Sequence, residues 1–216
     1  MLGDVRPDVI LPPAEFNTTL LHETGHLITA LVLPHAKPVE LATVIPREQM
    51  LGCILQRDTG DHYMITRAEV VARLAITLAG REAEQHFLGA NQITTGAVGD
   101  FQQATTQAYD MITKYSMFGS NNSPAWHHSK IHLSDTTLTE IESQVKKLLE
   151  EASATAKEAI TGNLALYEDL KKALGEQKII YNDTITEILD RHKNTIVIPK
   201  TFLPIMQEAE KAGISS

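Results

Sequence analysis

Two histidines stand four residues apart, with a glutamate directly after the first, at His22-Glu23-Thr24-Gly25-His26. On an α-helix residues i and i+4 lie one above the other, so both imidazoles reach a single metal ion. Imidazole nitrogen suits Zn²⁺ at about 2.0–2.1 Å. Glu23 sits about one residue around from that face, where its carboxylate serves as a base rather than a ligand. Zinc lowers the pKa of a water to roughly 7, so this trio points to metal-assisted hydrolysis of a peptide bond. The plainer alternative is a helix with two histidines and no ion. A catalytic zinc also needs a third protein ligand and one open position. No His-x-x-Gly-x-x-His extension follows the motif, so that ligand must come from further along. Two carboxylates compete for the role. Asp100 follows the Gly-rich turn Thr94-Thr95-Gly96-Ala97-Val98-Gly99 and opens a helix, and its ordinary role there is an N-cap. Glu84, with Glu82 nearby, lies on a long helix, where its alternative role is to orient a ligand histidine. Residue chemistry alone leaves the two level.

Several elements must position these side chains. Asn17 as N-cap, Phe16 packing on Leu21 and the stop at Pro34 predict a first helix over Thr18 to Leu33. Val39 to Ile45 and Met50 to Gln56 read as a small antiparallel pair joined by a turn near Pro46. Thr66-Arg67-Ala68-Glu69 has the form of a capping box and Gly89 suits a C-terminal stop, with Val70, Leu74 and Leu78 at helical spacing between them. The helix that Asp100 opens is expected to run to about Met117, followed by a loop from Gly119 to Ser129 with Trp126, His127 and His128. Beyond it, Leu138 to Leu149 marks one helix, and Ala156, Ile160, Tyr167, Leu170 and Leu174 the next. A short helix from Thr184 to Leu189 precedes a tail with no clear pattern. The fold class is mainly α: a zincin-like helical peptidase domain with a small early β-sheet and a C-terminal helical bundle. Residues 1–130 are expected to form the peptidase core, and 131–216 a C-terminal helical subdomain and tail.

The 216 residues carry a formal net charge of −8 and no basic block, which argues against nucleic acid or an anionic membrane as partner. No apolar run is long enough to span a bilayer, and no signal peptide is visible. The single cysteine, Cys53, rules out an intrachain disulfide and fits a reducing compartment, so a cytoplasmic location is expected. The remaining histidines read as surface or capping residues, and Cys53 as a small buried hydrophobe.

The order of short motifs resembles the peptidase domain of FtsH-type AAA zinc metalloproteases. His22-Glu23-Thr24-Gly25-His26 stands where that family has HEAGH; Leu33-Pro34, Lys37-Pro38-Val39 and Val44-Ile45-Pro46-Arg47 follow, then Leu51-Gly52 and Thr66-Arg67. Leu78-Ala79-Gly80-Arg81-Glu82-Ala83-Glu84 is similar to LGGRAAE, and Thr94-Thr95-Gly96-Ala97 with Asp100 to TTGAxxD. The resemblance implies that Asp100 is the third zinc ligand, that Glu84 supports the site, and that the strand ending in Thr43, Val44 and Ile45 offers an edge to an extended substrate. It also implies a hexameric homo-oligomer. Departures are Thr24 for the usual Ala, Glu82 for Ala, which adds a negative charge near the expected site, and Gly99 where Asn is frequent. No Gly-x-x-x-x-Gly-Lys-Ser/Thr loop occurs in the 216 residues. The expected activity is therefore zinc-dependent endopeptidase action on unfolded or flexible protein segments without an ATPase motor of its own. Its location is cytoplasmic, or the cytoplasmic side of a membrane if the domain belongs to a longer protein. The alternative is a non-catalytic adaptor or assembly module that joins FtsH-type rings.

Overall fold

The computed structural model describes residues 4–6, 8–47, 50–57, 60, 64–118 and 133–211. Helix α1 spans Pro13–Val32 and begins five residues earlier than the sequence suggests. The reason is Pro13 at the first helical position, where its fixed φ is already helical and its missing N–H is one that no helix pairs. Asn17 is thus inside the helix rather than its cap. The chain returns through β1 (Val39–Thr43) and β2 (Cys53–Gln56) to α2 (Arg67–Leu88). Helix α2 opens with the expected capping box: Thr66 N–H donates to Glu69 Oε2 at 2.6 Å, and Glu69 N–H to Thr66 Oγ1 at 3.2 Å. It closes at Gly89, whose φ of 86° lies in the region that favours glycine.

Two single 3₁₀ turns, Ala90–Gln92 and Thr95–Ala97, lead into α3 (Val98–Thr113), which ends four residues short of Met117. Helix α4 runs from Asp135 to Thr161 and contains Ala156 and Ile160, which the sequence pattern had suggested for the following helix. No Gly or Pro interrupts this stretch, and the break comes only at Gly162-Asn163, where Asn163 Nδ2 donates to the Ala159 and Val197 carbonyls. Helices α5 (Leu164–Gln177), α6 (Asn182–His192) and α7 (Leu203–Lys211) complete the chain. Helix α7 falls in the tail that showed no pattern. The loop with Trp126, His127 and His128 lies outside the described residues, as does the expected boundary near residue 130.

Among the described residues the sheet has three strands, not two. Lys178 takes a left-handed conformation after α5 and reverses the chain into β3 (Ile179–Tyr181), giving the order β2-β1-β3. Both neighbours are antiparallel to β1: Ala42 faces Ile54 on one side and Ile180 on the other, and Thr43 faces Cys53 and Ile179. This pairing bears on Thr43, Val44 and Ile45, the residues expected to offer an edge to substrate. Thr43 is paired on both flanks, Val44 N–H donates to the Lys178 carbonyl at 2.9 Å, and Ile45 N–H is taken by Thr43 Oγ1 at 3.1 Å. Among the described residues β2 and β3 are the edge strands, and β2 packs against α1.

One continuous apolar cluster runs from Leu20 to Phe202 and joins α1, α2, α4 and α5. Tyr167 of α5 anchors it: the ring is buried, stacks on Phe87 at 4.5 Å between centroids, and donates its hydroxyl to the Leu21 carbonyl at 2.8 Å. That bond fixes α1 one residue before His22. Burial, with the Glu168 charge adding, pushes the Tyr167 phenol far above its ordinary value.

Candidate metal centre

Helices α1 and α2 cross where both are stripped of side chain. A Cβ on Gly25 would come within 2.6 Å of the Ala79 carbonyl oxygen and 2.7 Å of the Ala83 Cβ. A Cβ on Gly80 would overlap the His22 ring itself. The two glycines thus let the backbones approach and leave His22 the volume its ring fills. Thr24, on the opposite side of the motif, is fully buried and spends its hydroxyl on the Leu20 carbonyl at 2.7 Å, so it adds no unpaired polar group.

Each histidine is held through Nδ1. His22 Nδ1 lies 2.7 Å from Glu84 Oε1, and His26 Nδ1 lies 2.6 Å from the Ile76 carbonyl oxygen. Both supports come from α2. Glu84 is 1% exposed, and its second oxygen accepts the Thr94 N–H at 2.7 Å, which ties α2 to the turn that precedes α3. With Nδ1 so engaged, Nε2 of both rings turns toward Asp100. Asp100 Oδ2 is 3.0 Å from His22 Nε2 and 3.6 Å from His26 Nε2. Asp100 is the third residue of α3, two positions past the start, so it is not the N-cap; Ala97 occupies that position. The two rings meet edge to face at 4.7 Å.

The electrostatics follow from this packing. Burial opposes a charge on His22, but hydrogen bonds to Asp100 and Glu84, with the Glu23 charge nearby, outweigh it and raise its pKa to about 10. Burial likewise opposes the Asp100 anion, and the two histidines overcome it, holding the carboxyl well below the usual range. Glu84 is shifted down for the same reason, by His22 and the Thr94 N–H against the cost of burial. Glu23 goes the other way. Burial dominates and, with Asp100 adding, raises its pKa, although the histidines pull it down.

Glu82 does not face this cluster. Its carboxylate accepts the Ser153 hydroxyl of α4, so the extra charge expected near the site is turned toward the C-terminal helices. Cys53 is half-buried at the start of β2 and not a core residue. Gly52 and Gly80 are the positions whose importance the residue chemistry did not reveal. Both lay inside quoted motifs, but a glycine announces its role only through what stands opposite it.

Three donors of suitable type, His22, His26 and Asp100, place one ligand atom each within 4.8 Å of one another. Two neutral-capable imidazoles and a carboxylate, each buried or half-buried and two of them aligned by outer hydrogen bonds, fit a divalent cation that takes mixed nitrogen and oxygen ligands. A helix that carries two such imidazoles and a buried glutamate, joined by a carboxylate from a second helix, defines the class of metal-dependent hydrolases. A family profile described as peptidase family M41 matches residues 9–188, and the chain belongs to that family. Similar relatives are named ATP-dependent zinc metalloprotease FtsH. The protein from Neorickettsia risticii is 31% identical over 198 residues, covering 88% of this chain and 30% of the relative. That from Caulobacter vibrioides is 30% identical over 225 residues, covering 95% and 36%. That from Rubrobacter xylanophilus is 30% identical over 202 residues, covering 88% and 31%. The chain spans about a third of the length of the curated relatives it matches. Among the described residues no helix is long and apolar enough to cross a membrane.

Proposed function

We propose that this chain is a zinc-dependent endopeptidase that hydrolyses peptide bonds in unfolded or flexible protein segments. The observation that carries the reading is the convergence of His22, His26 and Asp100 on one point beside the buried carboxylate of Glu23. In this reading those three residues hold the ion and Glu84 supports His22. Zinc, when bound, supplies Lewis acidity toward a carbonyl and acidity to a water. Glu23 then removes the proton from the attacking water and delivers it to the departing amine. Its pKa, raised by burial, suits a group that must both take and give a proton. Glu84 and the Ile76 carbonyl keep each imidazole in the tautomer that leaves Nε2 unprotonated once the ion is in place.

An extended peptide is read here by β2, not by β1. Cys53–Gln56 follows directly on Gly52, which touches Glu23, so a chain added to this edge passes the base. Main-chain pairing of this kind selects extended segments over folded ones. The 216 residues hold no Gly-x-x-x-x-Gly-Lys-Ser/Thr loop, so in this reading the bond cleavage itself, carried by Glu23 and the metal ligands, needs no ATP. A homohexameric ring, in the cytoplasm or on the cytoplasmic side of a membrane, is the setting implied by the FtsH-type resemblance.

The test is casein hydrolysis and metal content of the purified chain beside Glu23→Gln. The variant is expected to retain about one zinc per chain and to lose cleavage by at least about 100-fold. Cleavage at the wild-type rate would overturn the mechanism. Stoichiometric zinc in a wild-type chain that never cleaves would favour the adaptor role instead.

A further inference from the structure

The start of β2 meets the active helix at a single residue. Gly52 is buried, and a Cβ built on it would lie 2.6 Å from Glu23 Cγ, 2.8 Å from Cδ and 2.8 Å from Oε1. All three are side-chain atoms of one residue, and among the described residues beyond its chain neighbours nothing else is as near. The backbone gives no reason for a glycine here, because the glycines with positive φ are Gly60 and Gly89. Space for the glutamate is therefore the reason. Glu23 is itself enclosed: it is 7% exposed and closed in by its own helix and by this strand. On the other side of Gly52 the chain continues at once into Cys53, which pairs with Thr43 and fixes the strand in register.

We propose that Gly52 is a positioning residue for Glu23: its bare backbone forms the wall against which the carboxylate rests and ties the base to the β2 edge. The inference rests on the peptidase reading for its catalytic meaning, but not for the contact itself. The carboxylate has one well-defined place because β2 closes the space beyond it, and any side chain at 52 displaces the base rather than the strand. The strand is held by pairing to β1, whereas the glutamate has rotatable bonds to yield. Catalytic groups need to stay within about 0.5 Å of their working position, so a shift of this kind is costly even where the fold survives.

Two measurements separate the contact from the reading. The first is a thermal-unfolding cycle on the metal-free chain with Gly52→Ala, Glu23→Ala and the double variant. Gly52→Ala is expected to lower Tm by about 2–4 °C or more in the wild-type background, and by nothing measurable once Glu23→Ala has removed the crowded atoms. An equal loss in both backgrounds would overturn the proposal, since the alanine would then be clashing with something other than Glu23. The second uses the zinc-loaded protein. Gly52→Ala is expected to keep its zinc and its KM for an unstructured peptide while kcat falls about tenfold or more. Unchanged kcat would overturn it. If the wild-type chain itself fails to cleave, the peptidase reading falls while the unfolding cycle still decides whether Gly52 seats Glu23.

Discussion

Asp100 and Glu84 both touch His22, but on opposite ring nitrogens, and that division gives them unequal weight. Asp100 meets Nε2 and also lies 3.6 Å from His26 Nε2, so it alone stands where both rings point. Glu84 meets Nδ1 and accepts Thr94 N–H on its other oxygen, so its bonds lie on the far side of the ring from Nε2. With Asp100 as the proposed ligand and Glu84 as the proposed support of His22, the two losses have different costs. Glu84→Gln is expected to weaken zinc binding about 10–100-fold, and Asp100→Ala by more than that, as measured by competition with a chromogenic chelator. A larger loss in Glu84→Gln would reverse the two roles. The same contacts set a pH dependence. In the metal-free chain His22 holds its proton up to about pH 10, so it stabilises the fold fully below its unfolded value of about 6.5 and that stabilisation is lost as pH rises through about 10. Zinc must displace the Nε2 proton throughout this range. Its apparent affinity is therefore expected to climb about tenfold per pH unit between pH 7 and 9, read by the same competition. A flat profile would show that no proton is displaced.

At the scale of elements, the crossing of α1 and α2 decides whether the residues meet at all. Gly25 opposes the Ala79 carbonyl, which is part of α2's own ladder and has no rotamer to escape into. Gly25→Ala gains about 1 kcal/mol of helix propensity but forces the two backbones apart, and overpacking of this kind costs about 1–3 kcal/mol. The clash is with backbone, so it wins. Tm is expected to fall by about 3 °C or more, with weaker zinc binding as Glu84 and Ile76 retreat from the rings. A rise in Tm would mean the helices have slack at the crossing. This geometry also explains what was legible in the sequence. Helices with strong local signals could be read: Thr66 to Glu69 with Gly89 marked α2 closely, and the His22 to His26 spacing placed both imidazoles on one face. What depended on distant partners could not. The residues of β3 show no alternation in three positions, and only their pairing with Leu41 to Thr43, more than a hundred residues away, makes them a strand. That pairing also covers one flank of Thr43, the first residue of the edge expected at Thr43, Val44 and Ile45. The choice between Asp100 and Glu84 was invisible to residue chemistry because it turns on which ring nitrogen each approaches.

Across the whole molecule, the candidate centre joins segments that the core holds with unequal strength. Helices α1 and α2 contribute Leu27, Ile28, Val70 and Leu74, all fully buried, and they are clamped further by Tyr167. Helix α3 is seated mainly by Ala104, Ala108 and Ile112, while its first turn carries exposed Val98 and Phe101 on either side of Asp100. In the absence of metal that turn is held by the His22 and His26 contacts of Asp100, by Thr94 to Glu84, by buried Ala97, and by Arg81, which donates to the Thr94 carbonyl and lies over the Phe101 ring. A bound cation would replace those contacts with stronger ones from the same carboxylate. At a free zinc concentration 100 times Kd the gain is about 2.7 kcal/mol, so stripping the metal is expected to lower Tm by about 5–10 °C. The loss should not be uniform. Hydrogen exchange is expected to rise first over residues 95–101 and to leave the centres of α1 and α2 protected, because their burial does not depend on the ion. Asp100→Ala should reproduce that local pattern with or without zinc, since it severs the same link from the other side. If chelation instead loosened α1 and α2 together with α3, the centre would be supporting the core rather than tethering one helix to it.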